Sequence, residues 1–162
     1  MSTLYVDNLQ PNLGSRVSVS GHVIQVQPFS STTATTYSHP TSDSYTLYHQ
    51  FTMEGVHATS ELAIQCIFIA RKTASNLFRL ATQIHINGTA VSFVSQDVNL
   101  RVYDTVAATG TDILTIPAVY HVPSSYLVDG ENTISFYVAD ATGSATEFQV
   151  LYINGHVWEV GQ

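Results

Sequence analysis

Charge is scarce in this chain of 162 residues: five Lys and Arg stand against twelve Asp and Glu, a formal net charge of −7. Charged residues make up 10% of the sequence, where about 25% is ordinary for a soluble domain. So few cations leave no basic stripe to neutralise phosphates, which excludes nucleic-acid binding driven by the phosphate backbone. Cysteine is scarcer still. The single Cys66 excludes an intrachain disulfide framework and a cysteine-rich zinc site. No uncharged apolar run comes near the roughly 18 residues of a membrane-spanning helix, so no membrane insertion is expected. The opening Met1-Ser2-Thr3-Leu4-Tyr5-Val6-Asp7 lacks the basic start and apolar core of a secretory signal, and none is expected. What the chain has in quantity is hydroxyl. Its 17 Ser and 19 Thr wet a surface without charging it, which suits contact with protein or glycan surfaces.

One domain is expected at this length, and folding buries about 70% of the unfolded surface, enough for a core without staples. Apolar residues, 44% of the chain, alternate with polar ones at period two, and no segment sustains a 3.6-residue pattern. Short runs rich in Val, Ile, Thr, Tyr and Phe predict strands near residues 17–27, 45–53, 61–70, 77–86, 89–94, 97–103, 112–121, 132–139, 146–153 and 156–160. Asn87-Gly88 and Asn154-Gly155 each sit between strand-like residues and predict tight type I′ hairpins. Asp129-Gly130 predicts a further turn. Residues 30–44 are almost all Ser, Thr, Tyr, His, Pro and Asp, and read as a long loop or an extended edge segment.

Strands this short and this numerous predict an all-β fold, a two-sheet antiparallel sandwich of jelly-roll type over residues 17–162, with an extended N-terminal arm over 1–16. An immunoglobulin-like or fibronectin-like sandwich is the alternative, and the Cys…Trp…Cys landmarks of the former are missing. The arm carries Leu4, Tyr5, Val6, Leu9 and Leu13, apolar side chains that so short a segment cannot bury by itself. It lies on its own domain or on a neighbour, and the neighbour is the preferred reading.

Seven histidines invite a metal reading. His22, His39, His49, His57, His85, His121 and His156 are scattered singly, however, with no His-x-His or His-Glu-x-x-His spacing. No metal or other cofactor is expected. Cys66 lies inside Ile64-Gln65-Cys66-Ile67-Phe68, where cysteine serves as a small hydrophobe, and no Gly-x-Ser-x-Gly is present. Glu147 and Glu159 flank the last expected hairpin, but two Glu on solvent-facing strand positions are ordinary and imply no raised pKa. The chain reads as a non-enzyme. Glycan binding is the small-ligand reading worth carrying, because sugar rings stack on exposed aromatics beside polar groups. Trp158 and Tyr152 point the same way if the last hairpin pairs them, and Tyr37, Tyr45 and Tyr48 adjoin the polar loop. The plainer reading of all five is core aromatics.

Residues 4–27 open Leu4-Tyr5-Val6-Asp7-Asn8-Leu9, pass Gly14, and close on Gly21-His22-Val23-Ile24-Gln25-Val26-Gln27. This stretch resembles a segment recurring in structural proteins of tailed bacteriophages. There a Leu-x-Val-Asp-Asn-Leu strand leads through a Gly-containing turn into Gly-His-Val-Ile-Gln-Val, and a Ser/Thr-rich loop and a β-sandwich follow. Val122 to Phe136, with Pro123-Ser124-Ser125-Tyr126-Leu127 before Asp129-Gly130, is similar to a phrase of jelly-roll, sugar-binding-like modules. The resemblance implies a non-enzymatic virion component made in the host cytoplasm: a homotrimer, attached to other virion proteins through its arm, that decorates or cements the capsid or forms part of a tail fibre. Its loops would be placed for contact with a host-surface glycan. In fibres the segment follows a long shaft; its place at residue 4 here fits a small knob, decoration or cement subunit better than a whole fibre. A carbohydrate-binding module is the alternative function.

Overall fold

The computed structural model describes residues 23–39, 45–72, 78–91, 102–104, 113–140 and 146–161. Ten strands are found among them: β1 (Val23–Ser31), β2 (Thr35–His39), β3 (Thr46–Val56), β4 (Glu61–Lys72), β5 (Phe78–Ile86), β6 (Thr89–Ala90), β7 (Val102–Asp104), β8 (Ile113–Val122), β9 (Gly130–Asp140) and β10 (Thr146–Val160). Sheet A runs β1-β10-β4-β8, with β2 also paired to β10. Sheet B runs β3-β9-β5-β6, with β7 also paired to β5.

The pairings nest. β1 and β2 pair with β10, β3 with β9, β4 with β8, and β5 with its own successors β6 and β7, all antiparallel. A chain paired this way is one long antiparallel ribbon rolled around a common core, so that β3, β4 and β5 alternate between the sheets. That is the double Greek key of a jelly roll. The two-sheet all-β reading holds.

Side-chain alternation sorts core from surface. Along β8, Ile116, Ala118, Tyr120 and Val122 are buried, while Thr115, Pro117, Val119 and His121 face outward. In the middle of the sandwich Phe136 of β9 meets Phe29, Phe68 and Tyr120 of sheet A at ring-centroid distances of 5.1, 6.0 and 6.1 Å. Each such ring contributes about 2–3 kcal/mol by leaving water. The Tyr120 hydroxyl is paired with Thr82 Oγ1 at 2.6 Å, which removes the cost of burying a phenol in that cluster.

The sequence reading places hairpins at both Asn-Gly pairs, and only one forms. Asn87 and Gly88 take φ of 51° and 80°, the positive pair that a type I′ turn requires. β10, by contrast, runs unbroken through Asn154-Gly155. Gly155 lies between Phe29 of β1 and Cys66 of β4. A Cβ there would run into the Gln65 carbonyl oxygen and come within 2.7 Å of Phe29 Cζ, so this glycine serves close approach rather than a turn. Both sides of β10 carry partner strands, and their ladders override the local turn preference.

Other boundaries also shift. The polar stretch from Ser30 is an extended edge segment at Thr35–His39, paired with Thr146 to Val150 of β10; residues 40–44 lie outside the described residues. The first strand is described from Val23 and runs on to Ser31. Of the strands expected at 89–94 and 97–103, β6 and β7 are described, and 92–101 lie outside the described residues. Leu4, Tyr5, Val6, Leu9 and Leu13 of the arm lie outside them too.

Candidate functional site

Among the described residues the cysteine and the histidines are dispersed, and several are held in structural contacts. Cys66 is buried, and burial pushes its thiol up to about 12, which removes the thiolate that nucleophiles and metal ligands need. Burial holds His49 and His85 below the usual imidazole value. His85 stacks on Tyr137 at 4.0 Å and bonds Gln83 Oε1 at 3.0 Å, and His121 Nε2 lies 2.8 Å from Glu61 Oε2. No group of three or more His, Cys, Asp or Glu suited to a metal ion occurs among the described residues.

Glu147 and Glu159 do not face each other across a hairpin. They occupy opposite ends of one strand, about 40 Å apart at the usual strand rise. Glu159, expected at a solvent-facing position, is fully buried. Its Oε1 accepts from the His57 backbone N–H and from Ser60 Oγ, each at 2.9 Å, and its Oε2 accepts from Gln25 Nε2 at 2.7 Å. These donors compensate a buried carboxylate and pin the β3–β4 connection onto β10. The signal for this was present in the sequence: with β10 read as one strand, Glu159 has the inward parity of Val157. Asn132, also fully buried, is the counterpart in sheet B. Its Oδ1 accepts from the Val128 N–H at 3.0 Å and from Asn87 Nδ2 at 2.9 Å, and its Nδ2 donates to the Val128 carbonyl at 2.7 Å.

The five candidate aromatics do not converge. Tyr37 is a core residue, stacked on Phe148 at 5.2 Å, with its phenol pushed up to about 12 chiefly by burial. Its hydroxyl donates to the Leu47 carbonyl at 3.3 Å. Tyr48 is half-buried and donates to the Thr33 carbonyl at 3.3 Å, and Tyr45 is half-buried just ahead of β3. Tyr37 and Tyr48 tie the β1–β2 edge to β3 instead of offering ring faces. Tyr152 and Trp158 do share the outer face of sheet A, but from one strand, about 20 Å apart. Trp158 sits beside His156 with centroids 5.8 Å apart.

That outer face is the unusual surface. Register lays its side chains in rows across four strands: Val26, Trp158, Ala63, His121; then Pro28, His156, Gln65, Val119; then Ser30, Asn154, Ile67, Pro117. Val119 is 73% exposed, Ile113 62%, Val26 48% and Ile67 44%. Between the Glu61–His121 pair at one end and Arg71 at the other, these rows hold no Asp, Glu, Lys or Arg. A solvated sheet face ordinarily alternates to polar residues on its outside. Sheet B has less apolar surface exposed on its outside: Ala81, Ser135 and Ala139 lie buried there, Ser135 Oγ donates to Gln50 Oε1 at 3.2 Å, and Leu47 is the large hydrophobic exposed on that side among the described residues.

Strand edges, the other common route to association, are blunted at three places. Pro28 stands within β1 and Pro117 within β8, each without an N–H for an added strand. On β3 the carbonyls of Thr52 and Glu54 accept from Gln27 Nε2 at 2.9 Å and Gln25 Nε2 at 3.1 Å.

With this geometry in view, the comparisons divide sharply by type. No family model matches the chain, and no curated protein matches it. Solved structures do. The crystal structure of the T13 IBDV viral particle aligns with 98% of this chain at TM-score 0.58 and 10% identity, over 36% of its own chain. T=1 particles derived from infectious bursal virus align over 98% of this chain at TM-score 0.56 and 11% identity, covering 36% of theirs. The VP2 subviral particle of infectious bursal disease virus gives TM-score 0.54 and 11% identity, over 98% of this chain and 38% of its own. The likeness is one of fold. This chain spans little more than a third of the viral chains it matches, and at these identities the shared property is the rolled two-sheet sandwich itself.

Proposed function

We propose that this chain is a non-enzymatic structural protein of a virion, a jelly-roll unit that associates with copies of itself and with other virion proteins. The observation that carries the reading is the open, uncharged face of sheet A, with Val26, Ile67 and Val119 exposed on it, on a sandwich whose described residues gather no metal-binding cluster. A surface of that kind is a place for another protein to sit. The fold shared with particle-forming viral proteins supports the same reading. The finer assignment rests on residues 4–27: a tailed-bacteriophage decoration, cement or tail-fibre component, homotrimeric, with Leu4, Tyr5, Val6, Leu9 and Leu13 of each copy buried on a neighbour. Closed cyclic association of this sort gives stability without disulfides.

Replacing Leu4, Val6 and Leu9 with Ser tests it. Among the described residues every buried core residue lies at Phe29 or beyond; with the arm packed on a neighbour, the sandwich is expected to stay folded by circular dichroism while light scattering registers loss of the trimer. An unchanged trimer that still attaches to its particle would overturn the assignment. Carbohydrate binding is the second reading, resting on Trp158, whose ring lies on the outer face beside His156. A glycan array with reproducible hits abolished by Trp158→Ala would establish it.

A further inference from the structure

We infer that the outer face of sheet A is a self-association surface, packing two-fold against the same face of a second copy. Three observations converge. The first is size. Four strands about 4.8 Å apart and roughly ten residues long present on the order of 600 Å². Two copies face to face then remove about 1,200 Å², the lower bound for a specific interface. The second is charge. A chain of net charge −7 repels its own copies over most approaches, yet the middle rows of this face carry no charged side chain for a twin to oppose. The third is the blocking of alternatives. Proline on β1 and β8 and the glutamine caps on β3 oppose edge-to-edge addition at those strands, leaving the face, with Val26, Ile67 and Val119 exposed on it, as a surface two copies can bring together. Aligned packing of two sheets about 10 Å apart would cover Ile67 and Val119 and shield Trp158.

This inference deepens the proposed function by naming where self-contact occurs, and it is separable from the arm. Sedimentation velocity on the full chain is the test, with Ile67→Glu and Val119→Glu as face variants and Thr52→Glu, on exposed β3, as control. A two-fold contact takes each substitution twice, burying two uncompensated carboxylates, so both face variants are expected to weaken association by about a hundredfold, while Thr52→Glu associates as the unmodified chain does. Val119 is exposed enough that its variant decides the matter even if Ile67→Glu fails to fold. The arm variant with Ser at positions 4, 6 and 9 isolates the face contact: it is expected to sediment as a dimer, and adding Val119→Glu should convert it to a monomer. A monomeric arm variant, or face variants that associate as the unmodified chain does, would overturn the inference. A trimer that survives in the face variants but is lost in the arm variant keeps the two claims distinct.

Discussion

Asn87-Gly88 and Asn154-Gly155 are the same dipeptide following an isoleucine, and the molecule uses them in opposite ways. The first reverses the chain at the end of sheet B. Asn87 there exchanges backbone hydrogen bonding with Thr133: its N–H donates to the Thr133 carbonyl at 2.9 Å, and its Oδ1 accepts from the Thr133 N–H at 2.9 Å. The second lies flat in the middle of β10, with a strand on either side and no room for a Cβ at Gly155. Turn chemistry therefore decides the path only where the chain is free to leave the sheet. Where both neighbours of a strand are filled, ladder pairing decides and the same residues serve packing.

Alanine at each glycine sharpens the contrast. Gly155→Ala should have the larger effect, about 3 kcal/mol lost in urea unfolding, because its Cβ meets the backbone oxygen of Gln65, which no rotamer change can move aside. Gly88→Ala should lose only about 1 kcal/mol, for there the cost is a positive φ with nothing within 4 Å to clash. The reverse order would mean that Gly155 turns the chain after all and that β10 is two strands.

Much of the architecture was legible in the residues. Period-two alternation marked most of the strands, the density of short strands marked the sandwich, and Asn87-Gly88 marked its turn. What escaped depended on partners distant in sequence. The continuity of β10 is set by Phe29 and Gln65, neither of which adjoins Asn154. Burial of Glu159 depends on donors from β1 and from the β3–β4 connection, and Tyr37 is covered because β2 docks along β10 rather than looping free. The outer face of sheet A was half legible. Alternation assigns Val119, Pro117 and Thr115 to one side of β8, but only the registers of β1, β10, β4 and β8 place Val26, Ile67, Ile113 and Val119 on a single face.

Trp158 is the chain's only tryptophan and stands half-buried on that face, so its fluorescence reports directly on whether the face meets another molecule. The decisive measurement is acrylamide quenching of Trp158 in the unmodified chain and in Val119→Glu at matched concentration. The account predicts a shielded, blue-shifted indole in the unmodified chain, and in the variant an indole quenched about twofold more strongly with emission shifted to the red, as a fully desolvated interface opens to water. Equal quenching and identical emission in the two proteins would contradict it.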